Sequence, residues 1–393
     1  MNPAPLFSRT SGEPLALYVH WPFCLAKCPY CDFNSHVRDV IPQARFRDAL
    51  RRELAHDAAR LGRRPLRSIF FGGGTPSLMD PATVAALIDD ATHFFDPAAD
   101  LEITLEANPT SVEQQKLAAF RSAGINRLSL GVQSLDETAL KTLGREHSAS
   151  QAIAALETAR SLFERISFDL IYARPEQSCV SWEKELTQAL DLASDHLSLY
   201  QLTIETGTVF EGRHRKGEII LPDEDLAAEL YELTGQVAAR FGLLPYEVSN
   251  YARPGEESRH NLVYWRYQDY LGIGPGAHGR ITLGEALLAT RRHRAPEIWA
   301  ERVEARESGS TSEVALEPEE RAREALLMGL RLAEGIEEHR FAARTGRPLD
   351  SCLDSDILGA ALEEEYLQRR DGRLTATAAG RLRLEALLGA LVL

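Results

Sequence analysis

The sequence predicts an α/β fold organised on a parallel sheet, followed by a smaller winged-helix-like α+β module. Short β-rich apolar runs alternate with helical patterns from residue 15 to residue 249. Such alternation marks strand–helix–strand units. Right-handed crossovers curl a sheet of this kind into a full or partial barrel, or leave it open and doubly wound. The residues with chemical potential fall where the predicted strands end, which is where parallel barrels carry their sites. After residue 300 the chain turns polar and then helical, which sets a second unit apart.

The elements follow in order. "LALYVH" (15–20) reads as a strand running into a cysteine-rich loop, and residues 42–61 as a helix between Pro42 and Gly62. "SIFF" (68–71) is a second strand, stopped by Gly72, Gly73 and Gly74. Asp80 and Pro81 suit the N-cap and first turn of a helix reaching Phe95. "LEITLE" (101–106) is a third strand, and Ser111 with Gln114 forms a capping-box pattern for a helix over 111–122. "RLSLGV" (127–132), "ISFDLI" (166–171) and "HLSLYQLT" (196–203) alternate with helices near 136–143, 148–163 and 181–193. A helix over 223–241 and a seventh strand, "YEVS" (246–249), follow. Residues 301–320 read as a polar linker. Helical patterns at 318–332, 337–345, 351–365 and 378–391 then surround a hairpin turning at Asp371–Gly372. The expected domains are 1–250, 251–316 and 317–393.

The chain has 393 residues, enough for one large domain and a small one. Its 44% hydrophobic and 26% charged content is that of a soluble globular protein. No apolar stretch is long enough to span a bilayer. Residues 1–14 lack the continuous apolar core that export requires, so a cytoplasmic location is expected. A net charge of −14 argues against a generic nucleic-acid surface. Winged helices often bind DNA, yet residues 317–393 carry 11 arginines and no lysine against 15 acidic residues. Counterion release needs cations facing phosphate, so a lid or interaction module is expected and nucleic acid is not. Transient membrane contact and a homodimer stay open.

"YVHWPFCLAKCPYCDFNSH" (18–36) holds Cys24, Cys28 and Cys31 within eight residues. Four thiolates would close a zinc site or cap every iron of a cubane cluster. The other cysteines, Cys179 and Cys352, are distant and isolated. An odd count in a chain without an export signal points to metal or catalysis rather than disulfides. Three ligands on a four-iron cluster leave one iron open to a small molecule.

Other motifs are weaker singly. "FFGGGTPS" (70–77) exposes backbone N–H groups but lacks the ending of a P-loop and the spacing of a dinucleotide fingerprint. Read alone, it is equally a tight turn. Glu106 in "TLEANP" can hold an amine or a ribose hydroxyl. Gln133 in "GVQS", Arg145 in "LGREH" and Asp169 in "FDLIYARP" each have an ordinary structural reading, but on successive strand ends they form one polar pocket.

The C-x3-C-x2-C spacing, Tyr30 before the third cysteine and GGGTP after the second strand together resemble the radical S-adenosylmethionine superfamily. The resemblance implies a partial (β/α)6-type parallel barrel. It implies a [4Fe–4S] cluster on Cys24, Cys28 and Cys31, with the methionyl amine and carboxylate of S-adenosylmethionine on the open iron. The reduced cluster of that family can cleave the cofactor to a 5′-deoxyadenosyl radical. "YVHWPFC", "FGGGTPS", "GVQS", "GREH" and "DLIYARP" resemble the branch containing oxygen-independent coproporphyrinogen oxidase. Carried over by position, that branch places Tyr18, Tyr30, Gly73, Gly74, Thr75, Glu106, Gln133, Arg145 and Asp169 around the cofactor.

The oxidase proper has a further cysteine two residues after the third, where this chain has Phe33. The group with Phe there is the HemW-type haem chaperone, whose members also carry H-N-x-x-Y-W. Here "HNLVYW" supplies His260, Asn261, Tyr264 and Trp265 as implied haem-binding residues. Imidazole is a common haem ligand and aromatics suit a porphyrin face. The leading expectation is a haem-binding protein that passes haem to an acceptor protein, the transfer resting on the resemblance alone. One alternative is radical decarboxylation of coproporphyrinogen III propionates. Another is a cluster-bearing interaction protein with an acidic winged-helix module. No catalytic residue is assigned.

Replacing Cys24, Cys28 or Cys31 by Ala is expected to abolish a reconstituted cluster, read as iron and sulfide content. Cys179→Ala and Cys352→Ala should retain it, and cluster loss in either would redraw the ligand set.

Overall fold

The computed structural model describes residues 13–393. Its first strand, β1 (Leu15–Trp21), shows how the sequence sets the architecture. Successive strand side chains point to opposite faces. Leu15, Leu17, Val19 and Trp21 are fully buried in the main core, with Trp21 edge-on to Phe46 of helix α1 (Gln43–Leu61). Tyr18 and His20, between them, face a cavity.

The same alternation recurs in β2 (Pro65–Gly73), β3 (Asp96–Ala107), β4 (Arg127–Gln133), β5 (Arg165–Tyr172) and β6 (His196–Gln201). Ile69, Phe71, Leu105, Leu128, Phe168 and Leu199 join the outer apolar layer. Ser68, Glu102, Thr104, Ser129, Ser167 and Ser198 take the opposite face, adjacent in register. The outer layer is covered by helices with legible ends. Pro42 and Gly62 flank α1. Asp80 caps α2 (Pro81–Phe94), Ser148 closes a capping box on α3 (Ala149–Leu162), and Ser178 caps α4 (Cys179–Leu192). Asp223 caps α5 (Glu224–Arg240).

Strands β1 to β6 are parallel and consecutive. The sheet does not close. Beyond β6 it continues antiparallel through β7 (Asn250–Ala252). On the other side β1 pairs in parallel with β8 (Asp269–Ile273). An antiparallel meander of β9 (His278–Leu283), β10 (Ala286–Arg292) and β11 (Ser310–Ala315) follows. The result is a partial parallel barrel with an antiparallel extension. Between β7 and β8 lies a short helix, α6 (Arg259–Trp265), which carries HNLVYW.

Several local expectations change: the final helix expected over 378–391 is two pieces, Ala378–Leu382 and Leu384–Leu391, broken at Arg383, and Ser111 forms no capping box because Thr110 takes the N-cap position. "YEVS" is not a strand but lies between the short strand Leu244–Pro245 and β7, which run antiparallel. The helix expected over 111–122 is two pieces, Ser111–Gln114 and Leu117–Ser122. The polar stretch after residue 300 contains part of helix α7 (Pro296–Arg306) and the edge strand β11. It reads as a linker because α7 buries only Pro296, Trp299, Ala300 and Val303, and β11 is largely exposed.

The C-terminal module packs α8 (Pro318–Gly329), α9 (Glu338–Thr345) and α10 (Ser355–Glu363) against a hairpin of β12 (Leu367–Arg370) and β13 (Arg373–Ala376). Asp371 and Gly372 both adopt positive φ, as a tight hairpin requires. A second apolar core fills this module and takes in Tyr267 and Leu287 from the sheet side. Asp269, fully buried at the start of β8, clamps the two parts. It accepts from Arg64 at 2.7 Å, from the Thr282 backbone at 2.7 Å, and from Arg344 of the module. These arginines hold its carboxyl below the usual carboxylate range despite burial.

Asp269→Asn would leave Arg64, only 1% exposed, without its counter-charge. Breaking a buried pair in this way is expected to cost about 3–5 kcal/mol, read as a lower urea midpoint.

Candidate functional site

The cysteine loop leaves β1 and folds over the end of β2. Gly74 N–H donates to the Trp21 carbonyl at 2.7 Å and Thr75 N–H to the Phe23 carbonyl at 2.8 Å. A Cβ on Gly74 would stand 2.8 Å from the Phe23 oxygen and 3.0 Å from Cys24 Sγ. Gly74 therefore permits the approach of two loops. Each thiol has a polar neighbour: Thr75 Oγ1 donates to Cys24 Sγ at 3.4 Å, Arg145 to Cys28 Sγ at 3.2 Å, and Ser35 Oγ lies 4.0 Å from Cys31 Sγ. Arg145 also donates to Asn108 Oδ1 at 2.6 Å and to the Gly131 carbonyl at 2.8 Å, tying the loop to β3 and β4. Tyr30 lies beside Cys28 and Arg145 and tilts against Phe210.

Among the described residues no three His, Cys, Asp or Glu side chains are arranged around a single metal ion. A cubane cluster makes a different demand, since each thiolate binds its own iron. Cys179 contacts Glu229 at 3.8 Å and Cys352 is buried in the C-terminal core. Neither belongs to the loop.

Beside the loop opens a cavity of about 700 Å³ lined by Tyr18, His20, Phe33, Asn34, Gly73 and Glu106. Gly73 has φ +114 and a Cβ there would collide with His20 at 2.6 Å. Its N–H donates to Glu106 at 3.2 Å. Burial first, and then the Asp169 carboxylate, push Glu106 up to about 8. Burial pushes Asp169 up to about 6, opposed by the Ser198 hydroxyl. No Lys lines this cavity. Burial outweighs the partial relief that Arg127 gives both carboxylates and Arg145 gives Asp169, so ionising them is costly, and an amine or sulfonium would relieve them. S-adenosylmethionine carries both groups, so the donor set fits it. Gln133 ends β4 at φ 69, where the register shifts.

The HNLVYW helix enters from the opposite, N-terminal side of the strands. Glu102 accepts from the backbone N–H groups of Arg259 at 3.3 Å and His260 at 3.1 Å, an anion at a helix start. His260 is buried. Its Nδ1 lies 2.8 Å from Ser68 Oγ and its Nε2 2.9 Å from the Tyr264 hydroxyl. Its ring stacks on Phe70 at 4.8 Å, and burial pushes it down to about 3. A haem ligand needs a free imidazole nitrogen, and His260 has none in this conformation. Asn261 donates to the Tyr246 hydroxyl at 3.3 Å and Tyr264 packs edge-on to Tyr270. Trp265 alone of the four turns to a separate cleft, towards the C-terminal module.

Several residues were not singled out from sequence. His20 shares the inner face of β1 with Tyr18, two positions on, and bonds Tyr18 OH at 3.1 Å and the Asn34 carbonyl at 2.9 Å. Strand alternation alone could have found it. Asn108 follows Glu106 by two. At the cavity mouth stand His278, Arg291, His293 and Arg294. They come from the β9–β10 meander, which no motif marked.

The Radical SAM superfamily model matches residues 18–184, and the HemN C-terminal domain model matches residues 316–383. The chain is 44% identical over 379 residues to the bovine mitochondrial radical S-adenosyl methionine domain-containing protein 1, covering 94% of this chain and 83% of that one. It is 39% identical to the haem chaperone HemW of Escherichia coli, covering 90% and 91% respectively. It is 35% identical to HemW of Bacillus subtilis, covering 95% and 98%. The solved structure of the E. coli coproporphyrinogen III oxidase HemN, described as a radical SAM enzyme, superposes with TM-score 0.79 at 23% identity, covering 96% and 90%.

Because Glu106 is held up to about 8 by burial, binding of S-adenosylmethionine at pH 7 should release about one proton. Calorimetry in buffers of different ionisation enthalpy measures this. Glu106→Gln should abolish the release and weaken binding about 10- to 100-fold. In the empty protein the raised value works against folding as pH rises. The stability Glu106 contributes is full below about 4.5 and is lost on passing about 8.

Proposed function

The chain belongs to the HemW-type haem-chaperone group of the radical S-adenosylmethionine superfamily, and on that premise we propose that it binds haem and delivers it to an acceptor protein. The observation that carries this reading over an enzyme is Phe33. It lines the cavity mouth and is 59% exposed, in the position where the related oxidase has a further cysteine. A phenyl ring neither ligates a metal nor moves a proton.

In this proposal Cys24, Cys28 and Cys31 hold a [4Fe–4S] cluster. Tyr18, Tyr30, Gly73, Gly74, Thr75, Glu106, Gln133, Arg145 and Asp169 surround S-adenosylmethionine, with Glu106 and Asp169 facing its positive groups. When bound, the pair supplies one-electron chemistry at the sulfonium. Arg145 orders the cysteine loop against β3 and β4, and His20 fixes Tyr18 and Asn34 at the cavity wall. Residues 1–250 form the cofactor domain, 251–316 the haem-motif segment with His260, Asn261, Tyr264 and Trp265, and 317–393 the interaction module.

No helix among the described residues is long and apolar enough to cross a membrane. The proposed location is the cytoplasm, with transient contact at a membrane that carries the acceptor. Vesicle co-sedimentation tests that contact, and light scattering tests a homodimer.

A second reading, decarboxylation of coproporphyrinogen III, is favoured by the cavity mouth. His278, Arg291 and Arg294 have no carboxylate partner among the described residues. Burial and then Arg291, Arg280 and Arg294 lower the His278 pKa. Such a cationic mouth suits a polycarboxylate.

Cluster-reconstituted protein should take up haem saturably, seen in the Soret band, and pass it to apomyoglobin. Absence of saturable uptake, together with vinyl product from coproporphyrinogen III, would hand the function to the second reading.

A further inference from the structure

Trp265 lines a cleft of about 640 Å³ between α6, the β9–β10 meander and the C-terminal module. The cleft is separate from the cofactor cavity, with which it shares no lining residue. Its apolar lining is Trp265 with the core residues Leu287, Leu332, Ile336 and Phe341, each no more than 6% exposed, and it also carries the carboxylates of Glu13 and Glu285. Its charged surface is mostly spoken for. Arg266 pairs with Glu334 at 2.7 Å, Arg340 and Arg373 with Glu337 at 3.1 and 3.2 Å, and Arg344 with Asp269.

Two basic groups differ. Arg321 donates its Nε to the Leu316 carbonyl at 2.8 Å and has no carboxylate partner among the described residues. His339, the second residue of α9, is exposed and makes no hydrogen bond or ion pair among the described residues. The cleft thus combines apolar and aromatic walls, an uncommitted imidazole and an unpaired guanidinium. Iron porphyrins carrying propionates require those four features.

On the cofactor side His278 is also uncommitted at the cavity mouth, but the two histidines deeper in the structure are not. Both nitrogens of His260 are engaged, as are both nitrogens of His20. The remaining cavity volume belongs to S-adenosylmethionine in the reading above. We infer that haem binds in the cleft between the HNLVYW helix and the C-terminal module, ligated by His339, flanked by Trp265 and Phe341, with Arg321 meeting a propionate. This rests on the haem-carrier reading. Within it, Trp265 is the motif residue that touches the ligand, while His260, Asn261 and Tyr264 hold the helix that presents it.

Ferric haem is titrated into the full-length, cluster-reconstituted protein and into His339→Ala, His278→Ala and Trp265→Ala variants. Affinity and the Soret position are followed, with electron paramagnetic resonance reporting the axial ligand. His339→Ala is expected to bind about tenfold or more weakly, with loss of the imidazole signature and its return on adding free imidazole. Trp265→Ala should weaken binding while keeping that signature, and His278→Ala should match the parent. An unchanged affinity and signature in His339→Ala, or loss of the signature in His278→Ala, overturns the inference while leaving the haem-carrier reading intact. Failure of the parent protein itself to bind haem saturably fells the haem-carrier reading instead.

Discussion

The inner face of the six parallel strands is polar, and most of the architecture answers that constraint. Parallel barrels ordinarily fill their interior with branched apolar side chains. Here Ser68, Glu102, Thr104, Ser129, Ser167 and Ser198 turn inward, while the apolar partners of each strand lie outside beneath the helices. Buried polar groups must be satisfied by hydrogen bonds or else by a ligand. At the N-terminal end of the strands the protein supplies the partners itself. Ser68 meets His260, Ser167 meets His196 at 2.7 Å, and Glu102 receives Arg165 and the start of α6. At the C-terminal end it does so only in part: the Gly73 N–H meets Glu106 and the Ser198 hydroxyl meets Asp169, while Glu106 also lines the cavity. The barrel is sealed by its own residues at one end and left for a ligand at the other.

Much of this was legible in the sequence. The six strands announce themselves as apolar runs between helices, and Pro42 and Asp80 stand at the helix starts where the sequence put them, whereas the caps Ser148 and Ser178 went unread. Tyr18, Gly73 and Glu106, singled out on strand ends, line one cavity, because topology gathers what sequence separates. Errors arose where local signals were weak. "YEVS" is rich in strand formers, yet Tyr246 and Glu247 are buried by hydrogen bonds to His196 and Asn250 rather than by a ladder of their own. The stretch after residue 300 is polar because an edge strand and a one-sided helix show most of their surface to water. Sequence polarity does not distinguish that from a linker.

The HNLVYW segment shows a different limit. The motif falls on one short helix, and sequence cannot say which side chain faces which way on its seven residues. Residues 260, 261 and 264 turn into the barrel and residue 265 turns away, as a 3.6-residue period allows. The imidazole that chemistry would nominate is committed twice over. The cationic cavity mouth and the cleft histidine escaped notice because no motif marks either.

Strand β8 is only five residues long, roughly 16 Å, yet it is shared by both ends of the molecule. Its first residue, Asp269, is gripped by Arg344 of the C-terminal module. Just past its last residue, Gly274 packs so closely on the His20 carbonyl that a Cβ would stand 2.4 Å away. A rigid strand held at both ends works as a strut. The strand thus gives the cavity wall and the C-terminal module a common anchor, and any coupling carried along it would act equally in both directions.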